Sequence, residues 1–496
     1  MPTIPSTPPS TARPADANGG RGRSGDPTSS IVDAIERAAL APDAGNGDHR
    51  RDQDGRAARR IAAVIGRMIT AEALAVGTRL PTVRDLSRRL GVSPTTVSEA
   101  WRSLAAVGAI ETRGRNGTFV RVPVGPGGPR RYRQVSEGPG HFELDLSSGT
   151  PDPLLLPDLR PIVARVSGQA LTSSYLDHPV LPSLAEELDA SWPFRAEAIT
   201  VVDGALDALD RVAQVALRLG DRVVVEHPTF PPLIDLLERL HCEVVGVDLD
   251  ADGPRLDQLR SAFDDPTAVP AALVLQPRGH NPAGVALSSE RAAAIADLVG
   301  GLDTLVVEDD HANDISSAPL VSIGRWRPHR TVHIRSYSKS HGPDLRLAAV
   351  GGDGDVVNAV ANRRLLGPGW SSRILQAVLV ELIRDPDTAG TLATARQAYS
   401  ERRRLVTDVL TARGVAVSGT DGINLWMAVD DERSAVVALA ARGIGVAPGG
   451  PFLVRPDRDF VRVTVGLLDG RRRDVVEVAT QLADAARAHA APWRST

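Results

Sequence analysis

The sequence predicts an α/β protein in two parts: a small helical unit closed by a hairpin, then a large domain with a mainly parallel sheet and a smaller α+β C-terminal lobe. Three observations predict this. Residues 51–122 carry 13 arginines against 6 acids, a net +7, whereas residues 1–50 sum to −1 and residues 123–496 to −10. Within that basic block, helical segments alternate with Gly and Pro breaks. After residue 144, short Val/Ile/Leu runs alternate with helical segments, the pattern of parallel strands covered on both faces.

The chain has 496 residues, 42% hydrophobic and 24% charged, enough for a large domain and an appendage at roughly 150 residues per domain. Residues 1–50 open on a Pro, Ser, Thr, Gly and Ala-rich stretch and are expected to form a weakly ordered tail. No stretch approaches the roughly 18 consecutive apolar residues of a membrane span, so a cytoplasmic protein with no membrane partner is expected. The single cysteine, Cys242, can form no internal disulfide, no cluster with His has metal-ligand spacing, and a small buried hydrophobe is the expected role.

In residues 51–122 the order is a helix (Ala57–Thr70), a connection with Gly77 and Pro81, a helix (Thr82–Leu90), a turn, a third helix (Thr95–Ala106) and a hairpin ending Gly117-Thr118-Phe119-Val120. This is winged helix-turn-helix order. Ser93 can cap the third helix, whose Val97, Trp101 and Leu104 share one face. Thr95, Thr96 and Glu99 are expected on another, the face that enters a major groove. The run GTRLPTVRDLSRRLGVSPTTVSEAWRSLAAVGAIETRGRNGTFV resembles the winged-helix domain of the GntR family. The resemblance implies double-stranded DNA as partner, contacted by Arg84, Ser93, Thr95, Thr96 and the wing glycine Gly117. Pro94 stands where the family usually has arginine; proline suits a first helical turn but removes a guanidinium that reads guanine.

Residues 123–143, rich in Pro, Gly and Arg, are expected to be a linker, with Arg130, Arg131 and Arg133 either on DNA phosphates or in solvent. Strands are then expected at Ala198–Val202, Arg222–Val225, Glu243–Val247, Ala271–Leu275, Thr304–Val307 and Thr331–Ile334. Helices such as Ala205–Leu219 and Ser288–Val299 alternate with them. From Trp370 the chain reads as helical and then mixed, with a strand at Val461–Gly466.

Of the 57 basic side chains, 56 are arginine and one is lysine, Lys339. Arginine replaces lysine as a surface charge but cannot supply an amine that condenses with an aldehyde. Lys339 ends the run Arg335-Ser336-Tyr337-Ser338-Lys339 just after a strand, with Arg346 beyond it. An amine with hydroxyls and a guanidinium nearby is what an aldehyde-bearing phosphate cofactor needs. Asp203-Gly204-Ala205-Leu206 opens a helix whose free N–H groups can face a phosphate. Glu308-Asp309-Asp310-His311 puts acid at a strand's carboxyl end, where it can pair with a protonated pyridine nitrogen. Asn281, in Gly279-His280-Asn281-Pro282-Ala283-Gly284, can donate to a ring hydroxyl.

In this order these segments resemble the fold-type-I pyridoxal-phosphate family, the aspartate-aminotransferase fold, over roughly residues 145–490. The resemblance implies pyridoxal 5′-phosphate as cofactor, Lys339 as the Schiff-base lysine, Asp309 on the pyridine nitrogen and Asn281 on the ring oxygen. It places Gly204, Ala205, Ser336, Ser338 and Arg346 on the phosphate, with Leu206 beside them, and Phe230 stacked on the ring. Arg462 matches the arginine that clamps a substrate carboxylate, and Tyr175 a residue that reaches the neighbouring subunit's cofactor. His311 stands where the family usually has tyrosine, Val180 replaces a common glycine and Ala185 a common arginine.

A winged helix in residues 51–122 joined to such a domain in residues 144–496 resembles the MocR subgroup of GntR regulators. That implies a head-to-tail homodimer that regulates transcription and senses pyridoxal phosphate, an amino acid or an amine. The other reading is a working class I/II aminotransferase with a secondary winged helix. The HNPAG run and Arg462 favour catalysis; the DNA-binding head and His311 favour regulation.

Overall fold

The computed structural model describes residues 57–488, apart from 59, 63, 66–67, 70–73, 107–109, 115–116, 121–129, 137–141, 168–177 and 471–472. The expected tail at 1–50 and Tyr175 lie outside the described residues. The chain divides into two compact units, residues 1–123 and 124–496.

In the first unit, helical residues between 57 and 69 bury Ala58, Ile61, Val64 and Ile65, one helical stripe. Helix α1 (Val83–Leu90) is capped by Thr82, whose hydroxyl oxygen accepts from the Asp85 N–H, and stops at Gly91 in the left-handed region. Helix α2 (Pro94–Ala106) starts where the Thr96 N–H donates to Ser93 Oγ at 3.1 Å. Strands β1 (Ile110–Thr112) and β2 (Thr118–Val120) pair antiparallel to make the wing.

The second unit begins with a correction. Residues 130–136, expected as linker, form helix α3 (Arg130–Ser136). The Arg131 and Tyr132 N–H groups donate to Asp235 at 3.0 and 3.1 Å, satisfying two open donors of the first turn. The Arg131 guanidinium donates to Glu238 and to the Leu453 carbonyl, each at 3.0 Å, and so is used within the unit rather than on DNA. Pro129 and Gly138 bracket eight residues free of helix breakers, which is why this stretch coils inside a breaker-rich segment.

The large sheet contains β3 (Ala198–Val202), β4 (Arg222–His227), β5 (Glu243–Asp250), β6 (Gly253–Pro254), β7 (Ala272–Leu275), β8 (Leu305–Asp310), β9 (Thr331–Ser336) and β10 (Ala348–Gly352). Their order is β3-β10-β9-β8-β7-β4-β5-β6. Only β6 and β10 run against the rest. The sequence reading did not anticipate β10, because its Ala and Gly residues carry little of the branched bulk that marks a strand.

Both sheet faces are covered. Val202, Val223, Val225, Val307 and Ile334 pack on one side with Ala208, Leu209 and Val212 of α4 (Ala205–Ala216) and with Leu233 and Leu237 of α5 (Pro231–Arg239). The alternate residues Val224, Leu273 and Val306 pack on the other with Ala292, Ile295 and Val299 of α6 (Ser289–Val299). Cys242 is half-buried against the first cluster, and burial pushes its thiol up to about 12.

The C-terminal lobe packs α7 (Pro386–Ala412) and α8 (Val475–Ala486) against a four-stranded antiparallel sheet. Its strands are β11 (Val417–Ser418), β12 (Leu425–Ala428), β13 (Ala447–Pro448) and β14 (Phe460–Val463), in the order β11-β12-β14-β13. Leu425, Met427, Val461 and Val463 meet Val406, Leu410, Val478 and Leu482. The last strand ends at Val463, short of the expected Gly466, because residues 465–467 turn into a 3-10 helix. Among the described residues no helix is long and apolar enough to cross a membrane.

Under the sheet's carboxyl ends, Arg278 donates to both oxygens of Asp310 at 3.0 and 2.7 Å, with side chains 9% and 0% exposed. Removing one member of such a pair strands a buried charge, at a cost of about 3 kcal/mol. Arg278→Ala is expected to lower the thermal unfolding midpoint clearly; an unchanged midpoint would show that the pair does not support the fold.

Candidate functional site

Parallel strands bring their carboxyl ends to one edge, and the residues that follow them converge there. Asp309 and His311 leave β8, Ser336, Ser338 and Lys339 leave β9, Asn281 follows β7, Ala205 and Leu206 follow β3, and Phe230 follows β4. With Arg346 and Arg462 these residues line one cavity of about 400 Å³. Gly204 is the N-cap residue of α4 at its edge.

Alternation along β8 separates three consecutive acids. Glu308 is held by Ser322 Oγ and the Ile323 N–H, both at 2.6 Å, and by His333 Nδ1 at 2.9 Å. Asp310 is paired with Arg278. Asp309 points the other way, its Oδ1 buried without a hydrogen-bond partner, and burial raises its carboxyl to about 7 against the opposing pull of Lys339. Burial, helped by Arg462 and opposed by Asp309, lowers the Lys339 ammonium to about 8. His311 is held well below its usual range by burial and then by Lys339, so its imidazole is neutral near pH 7, and its Nδ1 has no partner. Here the neutral form, rather than the charged one, is selected.

The phosphate cradle is steric as well as electrostatic. Gly204 has φ +107°, and a Cβ there would sit 2.8 Å from Arg346 Nη2. No side chain caps the N–H groups that open α4. Arg346 donates to the Asp203 carbonyl at 3.0 Å, and Ser336 Oγ accepts from the Ser338 N–H at 3.3 Å. Behind the cradle, buried Arg364 donates to Asp203 and Asp207, each at 3.2 Å. Arg462 donates to Asn281 Oδ1 at 3.3 Å and to the Ser147 carbonyl, and lies over the Phe452 ring at 5.1 Å. Its Nε is buried without a partner, and burial lowers the group to about 10.

The sequence reading does not single out several residues at the cavity. Gln276 accepts from the Asn281 N–H at 2.7 Å while its own N–H donates to Glu226, which fixes the Asn281 loop; no sequence signal singles it out. Tyr132 and Val135 of α3, with Phe452, also line the cavity. The breaker-free interval after Pro129 is the signal that could have found Tyr132 and Val135.

A partnerless buried carboxylate oxygen, an amine, an uncapped helix start with hydroxyls and a guanidinium, and an aromatic side wall fit pyridoxal phosphate group by group.

In the first unit, Arg84 and Thr95 are exposed. Ser93 Oγ shares hydrogen bonds with Thr95 Oγ1 at 2.6 Å and with Thr96 Oγ1 at 2.7 Å. Thr96 is a correction: only 1% exposed, it falls in the buried stripe with Val97, Ala100, Trp101 and Leu104, and its side chain is not on the outward face with Thr95. Gly117 has φ +105°, and a Cβ would meet Arg79 Nε at 2.8 Å, so the wing requires glycine there for its backbone.

Comparison with known proteins agrees with this division. Residues 57–120 match the model of bacterial regulatory proteins of the gntR family, and residues 143–478 match aminotransferase class I and II. The vitamin B6 salvage pathway transcriptional repressor PtsJ of Salmonella typhimurium is 34% identical over 423 residues, 84% of this chain and 96% of that protein. The chain belongs to the MocR-type GntR regulators. This MocR-type chain is a transcription regulator whose aminotransferase-like domain binds pyridoxal phosphate. The HTH-type transcriptional regulator TauR of Rhodobacter capsulatus is 28% identical, over 78% of this chain and 88% of that one. A kynurenine aminotransferase structure from Pyrococcus horikoshii shares the fold of the MocR-type chain's larger part, with TM-score 0.65 and 20% identity, covering 72% of this chain and 93% of that one.

Because Lys339 is the sole lysine, its amine can be titrated without interference. In cofactor-free protein, acetylation of Lys339 followed by peptide mass spectrometry should rise with pH through an inflection at about 8. An inflection near the ordinary lysine value of about 10.4 would show that the amine is not desolvated.

Proposed function

We propose that this regulator grips operator DNA through Arg84, Ser93, Thr95 and the wing around Gly117, and that the occupant of the Lys339 cavity sets the strength of that grip. The observation that carries this reading is the wall of the cavity: Tyr132 and Val135 belong to α3, and only residues 121–129 separate α3 from the wing strand β2. An occupant that reaches this wall touches the segment that leads to the DNA-binding unit.

When bound, pyridoxal phosphate supplies an aldehyde that captures a primary amine and a ring that withdraws electrons. Lys339 would hold the aldehyde carbon, and Asp309 would keep a proton on the ring nitrogen. Asn281 and neutral His311 would hold the ring oxygen, Phe230 would cover a ring face, and the phosphate would rest on the Gly204-Ala205 N–H groups, Ser336, Ser338 and Arg346. The name of the PtsJ relative, a vitamin B6 salvage repressor, supports pyridoxal phosphate itself as effector. Arg462, buried with a free Nε, supports an amino acid, whose carboxylate it can bind, beside the cofactor. A head-to-tail homodimer in the cytoplasm would present two heads to two half-sites.

Lys339→Arg keeps the charge and removes the condensing amine. The variant should lack the visible band of lysine-bound cofactor, and its affinity for its own upstream DNA should not respond to pyridoxal phosphate. A variant that responds like wild type would overturn the reading.

Arg84 is expected to neutralise a phosphate, so Arg84→Ala should reduce the slope of log K against log salt by about 1. An unchanged slope and affinity would remove Arg84 from the interface.

A further inference from the structure

Helix α3 brings two side chains, three residues apart on one face, to a cavity built by a sheet far along the chain. Its position is not incidental. Asp235 accepts from two of its N–H groups, and Arg131 ties it to Glu238 on α5 and to the carbonyl of Leu453. Helix α5 is capped by Phe230, and Leu453 follows Phe452, so the tether fixes α3 to two walls of the same cavity.

The charge inventory then limits what can lie against α3. Three cations line the cavity, Lys339, Arg346 and Arg462. The first two are assigned to the cofactor, leaving Arg462, with its buried partnerless Nε, for one carboxylate. Its guanidinium rests on the Phe452 ring, and Phe452 packs in the cluster that Val135 joins. On its Phe452 side, the wall beside Arg462 continues with Val135 and Tyr132; Ser148 and Gly149 also line the cavity, a Cβ at Gly149 lying 2.9 Å from Arg462 Nη1. Among the described lining residues that wall carries no second cation and no carboxylate.

We propose that Tyr132 and Val135 determine ligand specificity: with Phe452 they accept the apolar side chain of an amino acid whose single carboxylate rests on Arg462. This rests on the proposed function above and names the class of amino ligand it leaves open. A hydrophobic wall discriminates by contact area, about 10-fold or more for each well-packed group. A second carboxylate against it would be desolvated without a partner.

The test uses the full-length, cofactor-loaded protein and calorimetric titration with L-leucine, L-phenylalanine, L-glutamate and L-lysine. Wild type is expected to bind leucine or phenylalanine at least ~10-fold more tightly than glutamate or lysine. Tyr132→Ala should weaken that binding about 10-fold, and Val135→Arg should shift preference toward glutamate. Both variants should keep the visible cofactor band, which reports an intact site. If Val135→Arg loses the band, Tyr132→Ala decides. Unchanged leucine and phenylalanine affinities in Tyr132→Ala, tightest binding of glutamate or lysine by wild type, or no amino acid binding at all would overturn the inference. Any of these would leave the proposed function standing if DNA affinity still follows pyridoxal phosphate. Loss of that response in wild type would instead bring down the underlying reading.

Discussion

Burial of Lys339 and Asp309 in one cavity is the constraint on which the remaining site depends. Each group prefers to be charged in water, and each is held near the point where it loses that charge, Lys339 at about 8 and Asp309 at about 7. Such a pair persists because stronger interactions surround it. The flanking acids Glu308 and Asp310 are turned away and satisfied by Ser322, Ile323, His333 and Arg278, so of the three acids only Asp309 is left unpartnered in the cavity. A cation arriving at Asp309, such as a protonated ring nitrogen, would restore its charged form, and an aldehyde would consume the neutral amine. The same desolvation keeps His311 neutral, so it adds no third positive charge beside Lys339 and Arg462 and, in the proposed site, would meet the ring oxygen as a neutral partner.

Much of the site is legible in the sequence. The lone lysine among arginines, the strand before it and the three acids at the end of another strand located the site, because each depends on local chemistry and on a period of two. Period alone could not choose among Glu308, Asp309 and Asp310; the resemblance chose Asp309, and the sheet register shows the other two spent on structural partners. Thr96 was misread because an N-terminal threonine of a recognition helix looks polar in sequence, whereas the stripe it joins is wide enough to bury it. Gln276 and Arg364 were illegible: both act on loops distant in sequence, and such contacts leave no local pattern. Helix α3 was obscured by its neighbours, since the Pro and Gly around it set the character of the whole segment.

In the proposed reading, that helix is what connects the cavity to the DNA-binding unit. A solvated tether would pass on little about the cavity, because flexible chain relaxes independently of what its ends hold. A helix pinned by Asp235 and Glu238 and facing the cavity with Tyr132 and Val135 is instead part of the site, and a ligand with different contacts to it in two arrangements can shift their populations. On the proposed reading, regulation needs no turnover. It needs only an occupant that stays.

The most direct test of this account is a single titration of wild-type protein with pyridoxal phosphate, following the visible band of lysine-bound cofactor and the affinity for its own upstream DNA in parallel samples. The account predicts that both change and share one midpoint. A site that fills completely while DNA affinity stays constant would contradict it.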